Sequence, residues 1–208
     1  MGKEQSKQSG PRASRFINRS GKAEGGIPRT FFIFGIDSGG VEKFLEFDPG
    51  TQTFKSRPPP KKMKVFNYMA AVCVGDVVYM SGGINKELNS IQKLCYCFHI
   101  VSDDFEKLPD MNQLRYTHMT TVKDDKLFVF GGRTYGYGEA GILNHCEYLD
   151  LRLKRWLVIS PMRKKRCTGF TFQYKNDIYV TGGYTGDKKR SKKIECYPSA
   201  EQTNHLQL

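Results

Sequence analysis

The sequence predicts an all-β chain built from four successive antiparallel sheets, and two repeated features lead to this prediction. A strand-like phrase that ends in paired glycines recurs along the chain, and a turn preceded by a second apolar run comes before each complete copy. A composition of 38% hydrophobic and 12% aromatic residues over 208 positions supplies enough apolar surface for a core. We therefore expect a globular β protein.

The paired glycines set the period of the repeat. Complete copies end at Gly82-Gly83, Gly131-Gly132 and Gly182-Gly183, so the pairs are 49 and 51 residues apart. A weaker copy with a single glycine, Gly35, lies 47 residues before Gly82. Periods of this length are typical of chains in which each repeat is one supersecondary unit that must stack on its neighbours.

Each complete repeat is predicted to contain four strands. The turns Gly75-Asp76, Asp124-Asp125 and Asn176-Asp177 join the first two strands into a hairpin, and the second strand ends at the glycines. Two further strand-like segments follow, and the last one carries an aromatic residue, which is Trp156 in the third repeat. Aromatic residues at a repeated position fill the space between stacked sheets, so we expect Trp156 to be buried there.

These features resemble the kelch repeat, whose motif is a hydrophobic strand ending in Gly-Gly, then Tyr-Asp, then six residues and Trp. The segment from Phe47-Asp48 to Phe54 follows this pattern with phenylalanine at both aromatic positions. The sequence departs from the motif at Ile36, Leu149 and Asn204, and Phe98 is not followed by Asp. The resemblance covers roughly residues 30–200 and implies a kelch-type β-propeller of about four blades.

The predicted propeller region is 27–208, and a disordered basic tail occupies 1–26. The predicted repeats are roughly 30–60, 66–110, 115–160 and 166–204. A small closed propeller, an open arc, a self-associating half-ring and a truncated gene product are the alternatives. The six cysteines form no C-x-x-C pair, and the sequence shows neither a secretory signal nor a spanning segment, so we expect a cytoplasmic protein with free thiols.

The net charge of +12 is concentrated in four segments. Residues 1–22 carry +5, 61–64 carry +3, 163–166 carry +4 and 187–193 carry +4. In an up-and-down four-stranded sheet, the connection to the next sheet emerges at the same edge as the connection between the second and third strands. The segments 61–64 and 163–166 are predicted to be connections of the first kind, and 187–193 is predicted to be one of the second kind. We therefore expect a basic rim formed by Lys61, Lys62, Lys64, Arg163, Lys164, Lys165, Arg166, Lys188, Lys189, Arg190, Lys192 and Lys193. The rim would bind an acidic or phosphorylated protein partner, and an ordinary solvated surface is the alternative.

Cys95, Cys97 and His99 alternate along a predicted strand and therefore share one face. Residues two apart on a strand lie nearly 7 Å apart at the backbone, whereas zinc ligands converge at about 2.0–2.3 Å from the metal. Strand packing is therefore preferred to a metal site, and we expect no cofactor. No catalytic residues can be assigned, because the other histidines are isolated and the paired carboxylates fall in turns.

The sequence thus predicts a non-enzymatic interaction module, an adaptor or scaffold. The kelch resemblance implies recruitment of targets to actin, ubiquitin ligases or signalling complexes. A kelch-fold metalloenzyme such as a copper oxidase is one alternative, but its Tyr, His and Cys ligand set cannot be placed in this sequence. A nucleic-acid-binding protein would agree with the sequence pI of ≈ 9.4. We expect no nucleic-acid partner, because the regularly interleaved aromatic and basic residues of a single-strand platform are missing.

The N-terminal residues predict a membrane tether. Gly2 followed by Ser6 fits the N-myristoylation pattern. One acyl chain gives only marginal membrane affinity, so a second signal is needed. The tail supplies it as basic residues, each worth about 1 kcal/mol near an anionic leaflet. These residues are Lys3, Lys7, Arg12, Arg15, Arg19 and Lys22.

We expect Gly2→Ala to abolish acylation and to move the protein from the membrane fraction to the soluble fraction. Neutralising the six basic tail residues should also release the protein, but without blocking acylation, because it removes only the electrostatic signal. Cell fractionation with a labelled fatty acid measures both effects. Unchanged fractionation of both variants would contradict membrane tethering.

Overall fold

The computed structural model describes residues 31–36, 42–57, 64–186 and 189–198. The described residues form an all-β protein and divide into two compact units, with the division between Val65 and Phe66. Gly2 and the rest of the predicted tail lie outside the described residues, as do Lys61, Lys62 and Lys188. Within the described ranges, no helical segment has the length and hydropathy that crossing a membrane requires.

The first unit contains one antiparallel sheet of three strands, here called the first sheet. Its strands are β1 (Phe31–Ile36), β2 (Glu42–Asp48) and β3 (Thr53–Arg57), in the order β1-β2-β3. Gly35, the single glycine of the weak repeat, lies within β1. The rings of Phe47 and Phe54 are cross-strand neighbours with centroids 4.7 Å apart.

The second unit contains three four-stranded antiparallel sheets, which follow one another in the chain. The second sheet is formed by β4 (Ala70–Val74), β5 (Val77–Ser81), β8 (Cys95–His99) and β9 (Asp104–Leu108), with a short hairpin of β6 (Ile84–Asn85) and β7 (Ser90–Ile91) inserted after β5. The third sheet is formed by β10 (Met119–Lys123), β11 (Lys126–Phe130), β12 (Cys146–Asp150) and β13 (Arg155–Ile159). The fourth sheet is formed by β14 (Cys167–Tyr174), β15 (Asp177–Gly186), β16 (Lys189–Arg190) and β17 (Glu195–Tyr197).

The strand order confirms the predicted up-and-down connection in the second and third repeats, whose sheets have the orders β4-β5-β8-β9 and β10-β11-β12-β13. In the fourth sheet, β16 and β17 both pair with β15. β17 is therefore the third strand of this repeat, and β16 pairs with the end of β15 beyond the glycines, as β7 pairs with β6 in the second repeat. All these pairings are antiparallel, as hairpin connections require.

The strands end at the paired glycines in two of the three complete repeats. Strands β5 and β11 stop immediately before Gly82 and Gly131, as predicted. The prediction for the last repeat is wrong, because β15 continues through Gly182-Gly183 to Gly186. The physical reason is that this segment keeps its partners in the ladder: Gly182 pairs with Gly169 on β14, and β16 pairs with the end of β15. The turn before β15 also lies one residue earlier than expected, at 175–176.

The third sheet is buried on both faces, which explains why β11 is an uninterrupted hydrophobic strand. Alternate residues of a strand point to opposite faces. Leu127 and Val129 pack with residues of the second sheet, and Phe128 and Phe130 pack with residues of the fourth sheet. Trp156 is buried in the cluster between the second and third sheets, and its Nε1 donates to the Pro109 carbonyl over 2.7 Å. Burial of Trp156 between sheets is therefore confirmed.

The aspartate of the repeated aromatic-Asp pair caps the turn between the third and fourth strands. The Asp48 Oδ1 atom accepts the N–H of Gly50 over 2.7 Å, and the Asp150 Oδ1 atom accepts the N–H of Leu153 over 2.8 Å. This is the local side-chain to backbone bond that favours Asp at turns. The equivalent residue of the second sheet is His99, which has no carboxylate oxygen to accept the backbone N–H groups of the turn.

The first glycine of a pair allows the next sheet to approach closely. A Cβ atom on Gly131, whose φ is +56°, would overlap the carbonyl oxygen of Arg166 at the start of the fourth sheet. Gly182 has a similar φ of +68°, but a Cβ atom there would meet nothing nearer than the Phe170 ring at 3.9 Å. The two positions therefore share the same backbone conformation and differ only in the neighbouring chain.

We expect Gly131→Ala to lower the free energy of unfolding by more than Gly182→Ala does. Both substitutions cost about 1–2 kcal/mol for the left-handed backbone of a residue with a Cβ atom. Only Gly131→Ala also pushes two sheets apart, which adds roughly 1–3 kcal/mol. Urea unfolding of the two variants measures the difference. Equal losses would contradict the close approach of the third and fourth sheets at Gly131.

A buried histidine links the second and third sheets. The imidazole Nε2 of His118 lies 2.8 Å from the Oγ of Ser81, the last residue of β5. No described residue accepts a hydrogen bond from His118 Nδ1. Burial lowers the pKa of His118 well below 6.5, and the Arg115 charge lowers it further. The imidazole is therefore neutral in the folded protein near pH 7.

We expect the folded protein to lose stability as the pH falls below about 6.5, the ordinary histidine pKa. The unfolded chain takes up a proton on His118 there while the folded protein does not, so the loss approaches about 1.4 kcal/mol per pH unit. His118→Gln keeps a hydrogen-bonding partner for Ser81 and removes the titration. Urea unfolding at several pH values should therefore show a slope that is smaller by nearly one proton in this variant. Identical slopes for both proteins would contradict a neutral buried His118.

Candidate functional site

A buried arginine organises the edge of the fourth sheet where the predicted basic rim lies. Arg166 is fully buried, and its Nη2 donates to Glu195 Oε1 over 2.6 Å. Its Nη1 donates to the carbonyls of Lys193, over 3.0 Å, and Gly182, over 3.3 Å. One guanidinium thus joins the start of β14 to the loop before β17. A buried charge needs such partners, because an unpaired one would be costly.

Glu195 holds the basic loop that precedes β14. Its Oε2 accepts the backbone N–H of Arg163 over 2.6 Å, and its Oε1 accepts that of Lys164 over 3.3 Å. The carboxylate therefore binds the backbone of one basic segment while Arg166 binds the backbone of the other. The backbone of 163–164 and that of Lys193 thus meet at the same Arg166–Glu195 pair.

The third sheet has an equivalent arginine–glutamate pair, but the loop residues that its glutamate holds are neutral. Arg115 Nη2 donates to Glu147 Oε1 over 2.7 Å, and both side chains are fully buried. Glu147 accepts the backbone N–H groups of Asn112 and Gln113, as Glu195 does those of Arg163 and Lys164. Burial lowers the pKa of Arg115, although Glu147 opposes this effect. The residues 112–114 thus correspond to 163–165 and show that the loop geometry does not require positive charge.

Seven exposed cations surround the Arg166–Glu195 pair, and we call them the basic surface. They are Arg163, Lys164, Lys165, Lys189, Arg190, Lys192 and Lys193. Arg190 lies over the Tyr184 ring, 5.7 Å from its centroid. Among the described residues, none of these seven side chains takes part in an ion pair. The structure therefore brings two of the three predicted basic segments to one edge.

The remaining residues of the predicted rim differ in position. Lys64 is exposed and belongs to the first unit, whereas Lys61, Lys62 and Lys188 lie outside the described residues. The structure corrects the expectation for Arg166, because its guanidinium is buried and paired with Glu195. Arg166 thus holds the basic loops in place and does not present its charge to a partner.

The opposite edge of the sheets carries acidic groups. A depression there is lined by Asp124, Asp125, Asp150 and Arg152. Arg152 Nη2 lies 2.6 Å from Asp125 Oδ2, and both side chains are largely exposed, so the pair contributes little stability. The turns 124–125 and 151–154 lie at this edge, away from the connections that carry the basic surface.

A cluster of one cysteine, one histidine and one glutamate lies near the same edge, in the second sheet. The Cys97 Sγ atom lies 3.8 Å from His99 Nε2 and 3.6 Å from Glu106 Oε2. Cys97 and His99 are two residues apart on β8, and their backbones are separated as expected. Their side chains nevertheless approach each other, because the Sγ and Nε2 atoms are only 3.8 Å apart. Burial raises the pKa of the Cys97 thiol to about 11, with a further contribution from Glu106. The thiol is therefore protonated at neutral pH in the protein as described.

Glu147, Glu195 and the role of the arginines that they pair with were not predicted from the sequence. A repeat alignment contains a signal for them, because Arg115 and Arg166 each lie 16 residues before the first glycine of their repeat. Glu106 was not predicted, because the pairing of β8 with β9, which places this residue opposite Cys97, is a tertiary feature. A charged residue on an exposed strand gives no signal by itself.

Comparisons with known proteins agree with the repeated sheets. The family model described as Kelch motif matches residues 114–163, which cover the third sheet. Kelch-like protein 26 of Danio rerio is 25% identical over 123 residues, which are 59% of this chain and 20% of that protein. Beta-scruin of Limulus polyphemus is 27% identical over 142 residues, which are 63% of this chain and 15% of that protein. The chain therefore spans about a fifth of the length of these relatives.

A solved structure shows the same fold. The structure of YjhT superposes with a TM-score of 0.62 at 16% sequence identity, and the match covers 75% of this chain and 48% of that chain. At this identity the likeness concerns the fold. The matched motif, the glycine-paired repeats and the stacked four-stranded sheets together show that the chain carries kelch-type repeats.

Proposed function

We propose that the protein is a non-enzymatic interaction module that binds an acidic or phosphorylated segment of a partner protein through the basic surface. The observation that supports this proposal is the set of seven exposed cations without ion-pair partners among the described residues. Lysine and arginine at an exposed edge attract anionic groups and speed association. Arginine also binds carboxylate and phosphate groups in a bidentate manner.

The framework under the basic surface favours binding over simple solubility. Loops that are disordered lose conformational entropy when they bind. Here the carboxylate of Glu195 and the guanidinium of Arg166 hold the backbone of both basic segments. A partner would therefore meet charges whose backbone positions are already set. The third sheet has the equivalent pair, Arg115 and Glu147, but its loop 112–114 carries no charge. The basic loop residues are therefore a property of the fourth repeat and not of the framework.

The likeness to kelch-repeat proteins supports an interaction role in general terms. The membrane tether at Gly2 is a separate proposal, since it concerns residues outside the described part of the chain. It would place the basic surface near an anionic membrane without changing how that surface binds protein.

Exchange of one loop tests the proposal. We expect the variant R163N/K164Q/K165L, which carries the residues of the third-sheet loop 112–114, to fold normally and to bind acidic ligands more weakly. Three exposed charges at roughly 0.5 kcal/mol each correspond to about a tenfold loss of affinity. A fluorescent glutamate-rich peptide and its phosphoserine-containing counterpart serve as probes. Binding of the wild type should also weaken as salt rises.

The matched control is Arg152→Glu, which reverses an exposed charge at the opposite edge of the sheets. This variant should bind both peptides like the wild type. Equal binding by the wild type and the loop variant would show that the basic surface is an ordinary solvated surface. Stronger binding of a single-stranded oligonucleotide than of either peptide would favour the nucleic-acid alternative.

A further inference from the structure

Three side chains with metal-binding atoms meet on one face of the second sheet. Cys97 on β8 and Glu106 on β9 are direct cross-strand partners, and His99 follows Cys97 at the next position on the same face. Their sulfur, nitrogen and carboxylate oxygen atoms all lie within 4.8 Å of one another. We propose that Cys97, His99 and Glu106 form a binding site for a zinc ion.

The distances are close to those of a tetrahedral zinc site. Zinc bonds of about 2.3 Å to sulfur and 2.0–2.2 Å to nitrogen and oxygen place neighbouring ligand atoms roughly 3.3–3.7 Å apart. The Cys97 Sγ atom lies 3.6 Å from Glu106 Oε2 and 3.8 Å from His99 Nε2. The Glu106 side chain is 49% exposed, so a small torsional change can bring its carboxylate onto the ion. A thiolate, an imidazole and a carboxylate are the ligands that zinc prefers.

The fold does not require these residues. The third sheet has Tyr148, Asp150 and Leu157 at the three equivalent positions, since Tyr148 pairs with Leu157 as Cys97 pairs with Glu106. Asp150 caps its turn, whereas His99 replaces that capping aspartate. The second sheet therefore gives up a useful turn residue at the position that would supply the nitrogen ligand.

The charges of the cluster suit a divalent cation. The thiol of Cys97 loses its proton to the solvent when zinc binds, and the resulting thiolate and the carboxylate of Glu106 together balance the two charges of the ion. Lys154 opposes binding, because its Nζ lies 3.1 Å from Glu106 Oε1. The lysine uses the oxygen that does not contact the thiol, so Oε2 stays directed towards the cluster.

The site would leave one coordination position open. Three protein ligands occupy three of four tetrahedral positions, and a water molecule takes the fourth. Cys97 is 3% exposed and closes the site from the core, while Glu106 lies at the surface. The cluster is on the side of the turns, so it is independent of the basic surface and of the proposed partner binding.

The experiment uses the full chain, freed of metal by a chelator and kept reduced. We expect Co2+ to produce a thiolate-to-cobalt charge-transfer band and one equivalent of Zn2+ to remove it. Cys97→Ser should abolish the band. His99→Ala and Glu106→Gln should weaken zinc binding, measured by calorimetry, by about 10–100-fold or more, because loss of a ligand costs at least as much as loss of its supporting residue. Lys154→Gln should bind zinc about threefold more tightly, because a nearby positive charge is removed.

Cys196→Ser is the matched control, because Cys196 is an exposed cysteine on β17. This variant should keep the band and the zinc affinity. Loss of binding in Cys196→Ser, or equal binding by the wild type, His99→Ala and Glu106→Gln, would overturn the proposal. Absence of the band in the wild type would do the same. Circular dichroism checks folding, and the variants at His99 and Glu106 decide the outcome if Cys97→Ser does not fold.

Discussion

The contact on which the second unit depends is the junction between a glycine pair and the arginine that opens the next sheet. The backbone N–H of the second glycine donates to the carbonyl of that arginine, and the guanidinium of the same arginine donates to the first glycine of its own repeat. The bonds of this series are Gly83 N to Arg115 O at 2.9 Å, Arg115 Nη1 to Gly131 O at 2.8 Å, Gly132 N to Arg166 O at 2.9 Å and Arg166 Nη1 to Gly182 O at 3.3 Å. Each repeat is thereby joined to the next through one residue.

The junction combines a requirement for small residues with a requirement for buried charge. Only glycine combines the left-handed backbone with room for the neighbouring carbonyl at Gly82 and Gly131. The buried Arg115 and Arg166 are paired with Glu147 and Glu195, and removal of one partner from such a pair typically costs about 3–5 kcal/mol. The glutamates also bind the backbone of the loop before each sheet, so the same charges that join the sheets shape the edge where the basic surface lies.

The two edges of the sheets therefore have different chemistry on a common framework. One edge is built from connections between sheets and carries the exposed cations, while the other is built from tight turns and carries Asp124, Asp125 and Asp150. The residues at these edges differ between repeats. Arg163 stands at the position of Asn112 at one edge, and His99 stands at the position of Asp150 at the other.

The repeats, the hairpins and the burial of Trp156 can be predicted from the amino-acid sequence, because glycine pairs, turn residues and alternating hydrophobic residues act over a few neighbouring positions. The position of 163–165 and 189–193 at one edge can also be predicted, since strand order follows from short connections. Tertiary packing buries Arg166 against Glu195 and leaves 163–165 exposed, although all four residues are basic and adjacent. The pairing of β8 with β9 likewise brings the Glu106 carboxylate close to the side chains of Cys97 and His99. In both cases the deciding partner lies on another strand, and the register and packing of that strand are not local properties of the chain.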